Sequence, residues 1–116
     1  MQTTGDGAAD GDGCCDPPEQ RLSEAALAAD VRLFSGLAND TRYEILRLLS
    51  AADEAVCACE ISPGVGMSQS ATSHALSRLT EAGLVSRRKD GRWRYYDTTE
   101  AADALLATAD DLREER

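Results

Sequence analysis

The chain of 116 residues is long enough for one modest domain, and its 42% hydrophobic content supports a core without disulfides or a structural metal. A net charge of −9 argues against a nucleic-acid binder, because phosphate contacts need basic side chains. The charge is unevenly distributed, however. Residues 68–96 carry six basic and two acidic residues, a net charge of +4, and the remainder is strongly acidic. A basic nucleic-acid-binding segment is therefore compatible with the composition.

A single lysine among 12 basic residues, with acidic residues extending to Glu114 and Glu115, resembles the composition of salt-adapted cytoplasmic proteins. An acidic tail on an ordinary protein is the alternative. No segment approaches the roughly 20 consecutive apolar residues of a membrane span, and residues 1–13 lack the features of a secretory signal. We expect a cytoplasmic protein with no membrane partner. Because the cytoplasm is reducing, its cysteines are predicted to be thiols, metal ligands or redox sensors and not structural disulfides.

The first half of the chain predicts a flexible arm and two helices. Residues 1–20 are rich in Gly and contain Cys14, Cys15 and two prolines, so they predict the arm. Residues 22–37 predict a helix with Ser23 as its N-cap, and a second helix runs from Asn39 or Asp40 to about Ala52. The predicted inward faces are Leu22, Ala26, Ala29, Leu33 and Leu37 in the first helix and Tyr43, Ile45, Leu46, Leu48 and Leu49 in the second, with Arg42 and Arg47 outside.

A short helical turn follows through Cys57 and Cys59, and we expect Ser62-Pro63-Gly64 to end it. Ser68 is the predicted N-cap of a helix that runs to about Ala82 and ends at Gly83. The predicted inward residues of this helix are Ala71, Ala75, Leu76 and Leu79, with Thr72 largely outward.

Residues 84–88 and 92–97 predict two strands joined by Lys89-Asp90-Gly91, in which Asp-Gly is a strong hairpin signal. A last helix is predicted over 99–113, with residues 114–116 as a tail. Its apolar stripe is Ala101, Leu105, Leu106, Ala109 and Leu112. The element order predicts a mainly α fold with a two-stranded β wing, a winged helix-turn-helix domain over 21–113.

Four sequence blocks carry a family resemblance: LANDTRYEILRLL at 37–49, SQSATSHALSRL at 68–79, EAGLV at 81–85 and GRWRYY at 91–96. Together they resemble the ArsR/SmtB family of metal-sensing repressors over residues 33–98. The resemblance implies a homodimer, paired through its first and last helices, that needs no cofactor. It also implies repression by binding an imperfect inverted repeat in double-stranded operator DNA.

Carried onto this sequence, the resemblance assigns DNA contacts to the 68–79 helix and to the wing. Side chains with hydrogen-bonding groups would face the major groove, and basic side chains would contact phosphates or the minor groove. A solvated charge cluster is the alternative for the wing, and Trp93, Tyr95 and Tyr96 are expected to pack the wing onto the body. The predicted contacts are Ser68, Gln69, Ser70, Ser73, His74, Ser77 and Arg78 in the helix and Arg87, Arg88, Lys89 and Arg92 in the wing.

The thiols are the candidate ligand site, because His74 is the one histidine and cannot build a His-rich zinc site. In the family, a Cys-x-Cys at the place of Cys57 and Cys59 binds arsenicals, or cadmium and lead. Cys14 and Cys15 could complete a trigonal thiolate set for As(III) or Sb(III), in cis or from a partner subunit, or be an incidental exposed dithiol. Residues two apart on a helix point about 200° apart, so binding is expected to unwind the turn.

We therefore expect a repressor released from DNA by As(III) or Sb(III), with Cd(II) or Pb(II) as alternative effectors. A thiol redox sensor on the same fold is the second hypothesis. A thiol-dependent metalloid reductase is the third, but no Cys-x-x-Cys, phosphate-binding loop or activating acid or histidine supports it. Buried cysteines that merely fill space are a further alternative for Cys57 and Cys59.

Overall fold

A computed structural model describes residues 15–115. Within them, the five helices and the two strands of the hairpin follow in the predicted order, with an additional short strand before the third helix, and the mainly helical fold with a β wing is confirmed. Residues 16–23 form neither helix nor strand, and Cys14 with the first part of the predicted arm lies outside the described residues. The elements are α1 (Glu24–Leu37), α2 (Asp40–Ala51), β1 (Val56–Cys57), α3 (Ala58–Val65), α4 (Gln69–Glu81), β2 (Val85–Asp90), β3 (Trp93–Thr98) and α5 (Glu100–Glu114).

The four long helices begin at polar N-caps. The side chains of Ser23, Asn39, Ser68 and Thr99 each accept a hydrogen bond from the backbone N–H three residues later, at 3.0 to 3.3 Å. Such a cap satisfies one of the amide groups that a helix start leaves without an internal partner, and contributes about 1 kcal/mol to stability. The predicted caps at Ser23 and Ser68 are therefore correct, and Asn39 is the one of the two predicted alternatives, Asn39 or Asp40, that caps α2.

The core lies where α2 packs against α3, α4, α5 and the sheet. Seven side chains are almost completely buried and include three from α2: Ile45, Leu46, Leu49, Ile61, Leu76, Leu79 and Leu84. Ala102 and Leu106 of α5 and Tyr96 of β3 join the same cluster. Apolar burial of this kind is the main favourable term in folding, so α2 organises the domain.

The predicted inward faces of α4 and α5 needed correction. In α4, Thr72 is 3% exposed and its hydroxyl donates to the Ser68 carbonyl, whereas Ala71 is exposed. In α5, Ala102 is buried in place of Ala101, and Leu112 is 53% exposed. In both helices, side chains one residue away from the prediction face the core.

Helix α1 buries much less of its apolar stripe than predicted. Leu22 is 46% exposed, Ala29 is also exposed, and Gly36 is the residue of α1 that is buried. A Cβ on Gly36 would lie 2.5 Å from the Ala82 Cβ, so the missing side chain lets the end of α1 approach α4 closely. The helix is therefore held near its C-terminal end, and most of its length remains on the surface.

Arg42 and Arg47 do not point freely into solvent as predicted, since both are partly buried. Arg42 donates from Nε to the Gly36 carbonyl at 2.7 Å and from Nη2 to the Ser35 carbonyl at 2.9 Å. These carbonyls lie in the last turn of α1, where internal hydrogen-bond partners run out. A positive charge at a helix C-terminus also complements the helix dipole, so Arg42 joins α1 to α2.

Helix α3 continues through Ser62-Pro63-Gly64, contrary to the prediction, and ends at Gly66 with φ of 69°. The N–H of Met67 donates to the Ser62 carbonyl and that of Gly66 to the Pro63 carbonyl, which together form a Schellman cap. Pro63 removes one internal hydrogen bond. The cap and the full burial of Ile61 offset that loss, so the helix runs past Pro63 and Gly64 and ends at Gly66.

The wing is a three-stranded antiparallel sheet in the order β1-β3-β2, one strand more than predicted. The additional strand is β1, in which Val56 pairs with Tyr96 and Cys57 with Tyr95. A strand of two residues is too short to be predicted from the sequence. The predicted connection Lys89-Asp90-Gly91 was wrong in its position, because Lys89 and Asp90 belong to β2 and pair with Arg94 and Trp93, which leaves Gly91-Arg92 as the hairpin turn. Gly91 has φ of 65°, a conformation that glycine adopts without strain. The helices of residues 15–115 lack the length and apolarity needed to cross a bilayer.

Candidate ligand site and nucleic-acid interface

Cys57 and Cys59 converge at the start of α3. Their Sγ atoms are 2.7 Å apart and form a hydrogen bond. Cys57 precedes the helix and has an extended backbone with ψ of 139°, so the two residues do not occupy successive positions of one helix. The expectation that one ion could be bound only by unwinding the turn is therefore wrong. Two thiolates with bonds of about 2.3 Å to one atom need a separation of roughly 3.5 Å, which small side-chain rotations supply.

Cys57 is also the N-cap of α3. Its Sγ accepts a hydrogen bond from the Cys59 N–H at 3.4 Å, and Glu60 Oε1 accepts one from the Cys57 N–H at 3.3 Å. This reciprocal pair is a capping box with sulfur in place of the usual hydroxyl oxygen. The same thiol thus ends β1, begins α3 and forms half of the candidate site.

The two thiols differ in exposure. Cys57 is 7% exposed, and Cys59 lies at the surface. The hydrogen bond with Cys57 raises the pKa of the Cys59 thiol above its ordinary value, and desolvation and the charges of Cys57 and Glu60 act in the same direction. Cys59 is therefore more completely protonated at neutral pH than an isolated cysteine.

The thiols form one wall of a cleft between α4 and the wing. The cleft has a volume of about 320 Å³. Gln69, Ser73 and Leu76 contribute from α4, and Arg92 and Trp93 contribute from the wing. Candidate ligand residues and candidate DNA contacts thus line the same cavity. Thr72, Arg94 and Tyr96 also line it, and none of these three was predicted as a site residue.

No further ligand joins the thiols within residues 15–115, where no group of three His, Cys, Asp or Glu side chains is placed to hold a metal ion. Cys15 is exposed and is not brought together with Cys57 and Cys59. Cys14 lies outside the described residues. The structure therefore unites two of the four cysteines proposed as ligands.

The predicted DNA contacts on α4 all lie on its exposed surface or at its N-cap. Ser68 accepts a hydrogen bond from the Ala71 N–H at 3.1 Å, so its oxygen is partly engaged in capping. His74 and Arg78 face a groove shared with Thr41 and Arg42 at the start of α2. The exposed predicted side chains of the helix are Gln69, Ser70, Ser73, His74, Ser77 and Arg78.

The basic residues predicted for the wing are exposed as well. Arg88 lies over the Tyr95 ring, with its guanidinium carbon 5.0 Å from the ring centre, and Arg92 lies over the Trp93 ring at 5.6 Å. Such contacts orient an arginine while leaving its N–H groups available. Tyr96 is buried, as expected of an aromatic that packs the wing onto the body, but Trp93 is 48% exposed. Arg87 and Lys89 complete the exposed basic set of β2.

Residues 39–87 match the family model described as "Bacterial regulatory protein, arsR family". A Halobacterium salinarum protein named "Putative arsenical resistance operon repressor ArsR2" is 54% identical over 114 residues, which span 97% of this chain and 95% of the relative. The chain belongs to the arsR family. The predicted resemblance is confirmed, and the arsR-family relatives are transcriptional regulators and not enzymes, which removes the reductase hypothesis.

A second arsR-family relative from Halobacterium salinarum, ArsR, carries the same arsenical-resistance description and is 58% identical over 76% of this chain and 68% of its own length. The salt-adapted composition is consistent with the source of both relatives. Among solved structures, the homodimeric winged helix-turn-helix domain of Mb0332 from Mycobacterium bovis has a TM-score of 0.72 at 30% identity. That similarity covers 81% of this chain and 89% of the Mb0332 domain.

Proposed function

We propose that this arsR-family protein represses an arsenical-resistance operon and leaves its operator when As(III) or Sb(III) binds Cys57 and Cys59. The observation that carries the proposal is the convergence of the two thiols at 2.7 Å beside the recognition helix. The names of the two Halobacterium salinarum relatives support the operon assignment. Soft thiolates are the preferred ligands of soft metals and metalloids, which supports the effector class.

The exposed face of α4 and the basic wing would form the DNA-binding surface. α4 would lie in the major groove, where Gln69, Ser70 and Ser73 can hydrogen-bond base edges. Arg78 and the wing residues Arg87, Arg88, Lys89 and Arg92 would contact the backbone and the flanking minor groove. The positive charge of residues 68–96 supports this placement within an otherwise acidic chain.

We infer that the protein is a homodimer paired through α1 and α5. Leu27, Val31 and Phe34 of α1 are 40%, 62% and 54% exposed and recur at helical spacing, so they form one apolar face. Leu112 of α5 is likewise 53% exposed. The homodimeric Mb0332 domain supports pairing in this fold. A Val31→Lys variant should sediment as a monomer and lose operator binding; Arg32→Ala, exposed on the same helix, should remain dimeric.

Ligand binding would affect operator binding through the two elements that Cys57 contacts, α3 and β3. A bond to its Sγ would move this sulfur relative to the Cys59 N–H that it accepts from, and so would change the cap of α3, the first helix of the helix-turn-helix unit. The same residue pairs with Tyr95 in β3, so its movement is passed to the wing. The released state would therefore differ in the relative positions of α4 and the wing, which a ligand can favour only by binding that state more tightly.

A third thiolate for an inorganic ion would come from Cys14 or Cys15, of the same chain or the partner subunit. Cd(II) and Pb(II) remain alternative effectors under this arrangement. A gel-shift titration with arsenite, antimonite, cadmium and lead separates these cases. We expect release by arsenite at the lowest concentration in the wild type, and no release in Cys59→Ser. A Cys59→Ser protein that still responds would place the sensing site elsewhere.

A redox sensor is the second candidate, since the short Sγ–Sγ distance also suits thiol oxidation. The raised pKa of Cys59 argues against it, because redox-sensing cysteines react as thiolates. Peroxide treatment of the metal-free protein tests this function. Operator release by peroxide, reversed by a thiol reductant, would favour the redox sensor over the arsenical sensor.

A further inference from the structure

The surface proposed for dimerisation is strongly acidic. Helices α1 and α5 together carry seven acidic and two basic residues, a net charge of −5. The basic residues of the chain are concentrated elsewhere, since residues 68–96 contain half of the 12. Within residues 15–115, Asp110 is the one carboxylate of these two helices that takes part in an ion pair. The other six have no ion-pair partner in this part of the chain.

Acidic residues lie at both edges of the apolar face of α1. The exposed apolar residues of this face are Leu27, Val31 and Phe34. At 100° per residue they lie within a sector of about 60°, on the side of the helix opposite the buried Gly36. Glu24 lies about 50° to one side of the centre of this sector and Asp30 about 70° to the other, and both are exposed. Arg32, the one basic residue of α1, lies about 130° from the centre and so outside the face.

Pairing two copies of this surface brings like charges together. In a dimer with twofold symmetry, the same surface of each subunit forms the interface, so an acidic edge meets an acidic edge. The axes of packed helices lie about 8 to 10 Å apart. Electrostatic screening acts over about 10 Å at 0.1 M salt and about 3 Å at 1 M. The repulsion therefore reaches across the interface at low salt and is largely screened near 1 M.

We propose that ionic strength controls the assembly of this protein. At low salt the carboxylates of α1 and α5 keep the subunits apart, and screening by salt allows the apolar faces to pair. The inference rests on the proposed homodimer and adds the condition under which it forms. The attraction comes from burial of Leu27, Val31, Phe34 and Leu112, which does not depend on charge. Salt thus removes the opposing term and leaves the favourable one.

Salt would then have opposite effects on assembly and on DNA contact. The proposed operator is an inverted repeat, so the dimer is the species that binds it. Contacts between basic side chains and phosphates weaken as salt rises, because the release of counterions becomes less favourable. At subunit concentrations below the dimer dissociation constant, the apparent operator affinity should therefore rise and then fall as salt increases. A protein that is dimeric throughout would show only the fall.

Sedimentation equilibrium of the full-length protein over a range of potassium chloride concentrations tests the inference. We expect the dimer dissociation constant to fall at least about tenfold between about 0.05 M and about 1 M salt. Glu24→Gln/Asp30→Asn removes both edge charges, so it should dimerise more tightly than the wild type at low salt and depend less on salt. The matched control is Asp53→Asn/Glu54→Gln, which removes two exposed carboxylates from the loop between α2 and β1 and should behave as the wild type does.

The identity of the salt separates screening from a bound cation. Sodium chloride and choline chloride should promote dimerisation as potassium chloride does. A response to potassium alone, or an equal salt response in the wild type and Glu24→Gln/Asp30→Asn, would overturn the inference. A dimer whose dissociation constant does not change with salt would also overturn it and leave the proposed homodimer intact. A protein that stays monomeric at every salt concentration would instead overturn the proposed homodimer itself.

Discussion

Arg47 of α2 lies 2.9 Å from the carboxylate of Asp110 of α5 and so joins the central helix to the last one. The same guanidinium donates to the Tyr43 hydroxyl at 2.6 Å and lies over its ring. Arg113 adds a second cation to Asp110. Hydrogen bonds from Arg47 and Arg113 lower the pKa of Asp110 below its ordinary value.

This ion pair predicts a pH dependence of stability. A lowered folded-state pKa means that the charged carboxylate stabilises the fold above its ordinary pKa, and that this contribution is lost as pH falls through the lowered value. Asp110→Asn should therefore have a lower Tm than the wild type at neutral pH. The difference should shrink steadily below about pH 4. Thermal unfolding from pH 7 to pH 2.5 measures it, with Asp111→Asn as the exposed neighbouring control. A pH-independent difference would contradict the ion-pair explanation.

The sulfur capping box predicts that serine and alanine at position 57 differ in stability but not in sensing. Serine is among the best N-cap residues, so Cys57→Ser should retain the stability of the wild type or exceed it. Cys57→Ala removes the cap and also leaves space in a buried position, and should cost about 1 to 2 kcal/mol. Urea denaturation measures both. Neither variant should release operator DNA on adding arsenite, and a response in either would remove Cys57 from the site.

The close approach of α1 to α4 predicts a clash when Gly36 gains a methyl group. Gly36→Ala places a Cβ against the Ala82 Cβ and should destabilise the protein by about 1 to 3 kcal/mol. Adding Ala82→Gly should recover most of the lost stability, because it removes the Ala82 Cβ with which the new methyl group clashes. Denaturant unfolding of the wild type, Gly36→Ala, Ala82→Gly and the double variant gives a double-mutant cycle. Additive effects of the two substitutions would show that the contact is unimportant.

The proposed wing contacts predict a change in salt dependence. Arg87→Ala should weaken operator binding about equally for all sequences and reduce the slope of log affinity against log salt by about 1. Arg113→Ala is the control, because it also removes one positive charge but lies on α5, away from the proposed DNA contacts. Fluorescence anisotropy with labelled operator across a range of potassium chloride concentrations gives both slopes. An unchanged slope in Arg87→Ala would mean a solvated charge cluster.

Helix existence, three N-caps and the hairpin followed from the sequence because each depends on local chemistry. Side-chain direction was harder to predict, since Ala71 and Thr72 are both small and the packing of α3 and the wing decides which one is buried. The length of α3 depended on the cap at Gly66, which offsets the proline. The local preferences of Ser62-Pro63-Gly64 had predicted that α3 would end earlier.

The candidate site was identified from sequence by its residues but not by its geometry. Treating Cys57 and Cys59 as two positions of one helix placed their side chains far apart, whereas Cys57 is extended and its sulfur meets that of Cys59. The reason is β1, a two-residue strand whose pairing with β3 is a contact between distant parts of the chain. Such a contact leaves no local signal in so short a segment.

The shortness of β1 also bears on how sensitive the regulator can be. In the proposed release, only two paired residues contribute to the free-energy difference between the DNA-bound and released arrangements, so a ligand with a modest preference for the released one would shift the equilibrium. Lengthening or strengthening this pairing would raise the inducer concentration needed for release, and weakening it would cause leaky repression. Under the proposed release by a thiol-binding ligand, the number of residues in β1 would therefore set the inducer concentration at which the operator is released.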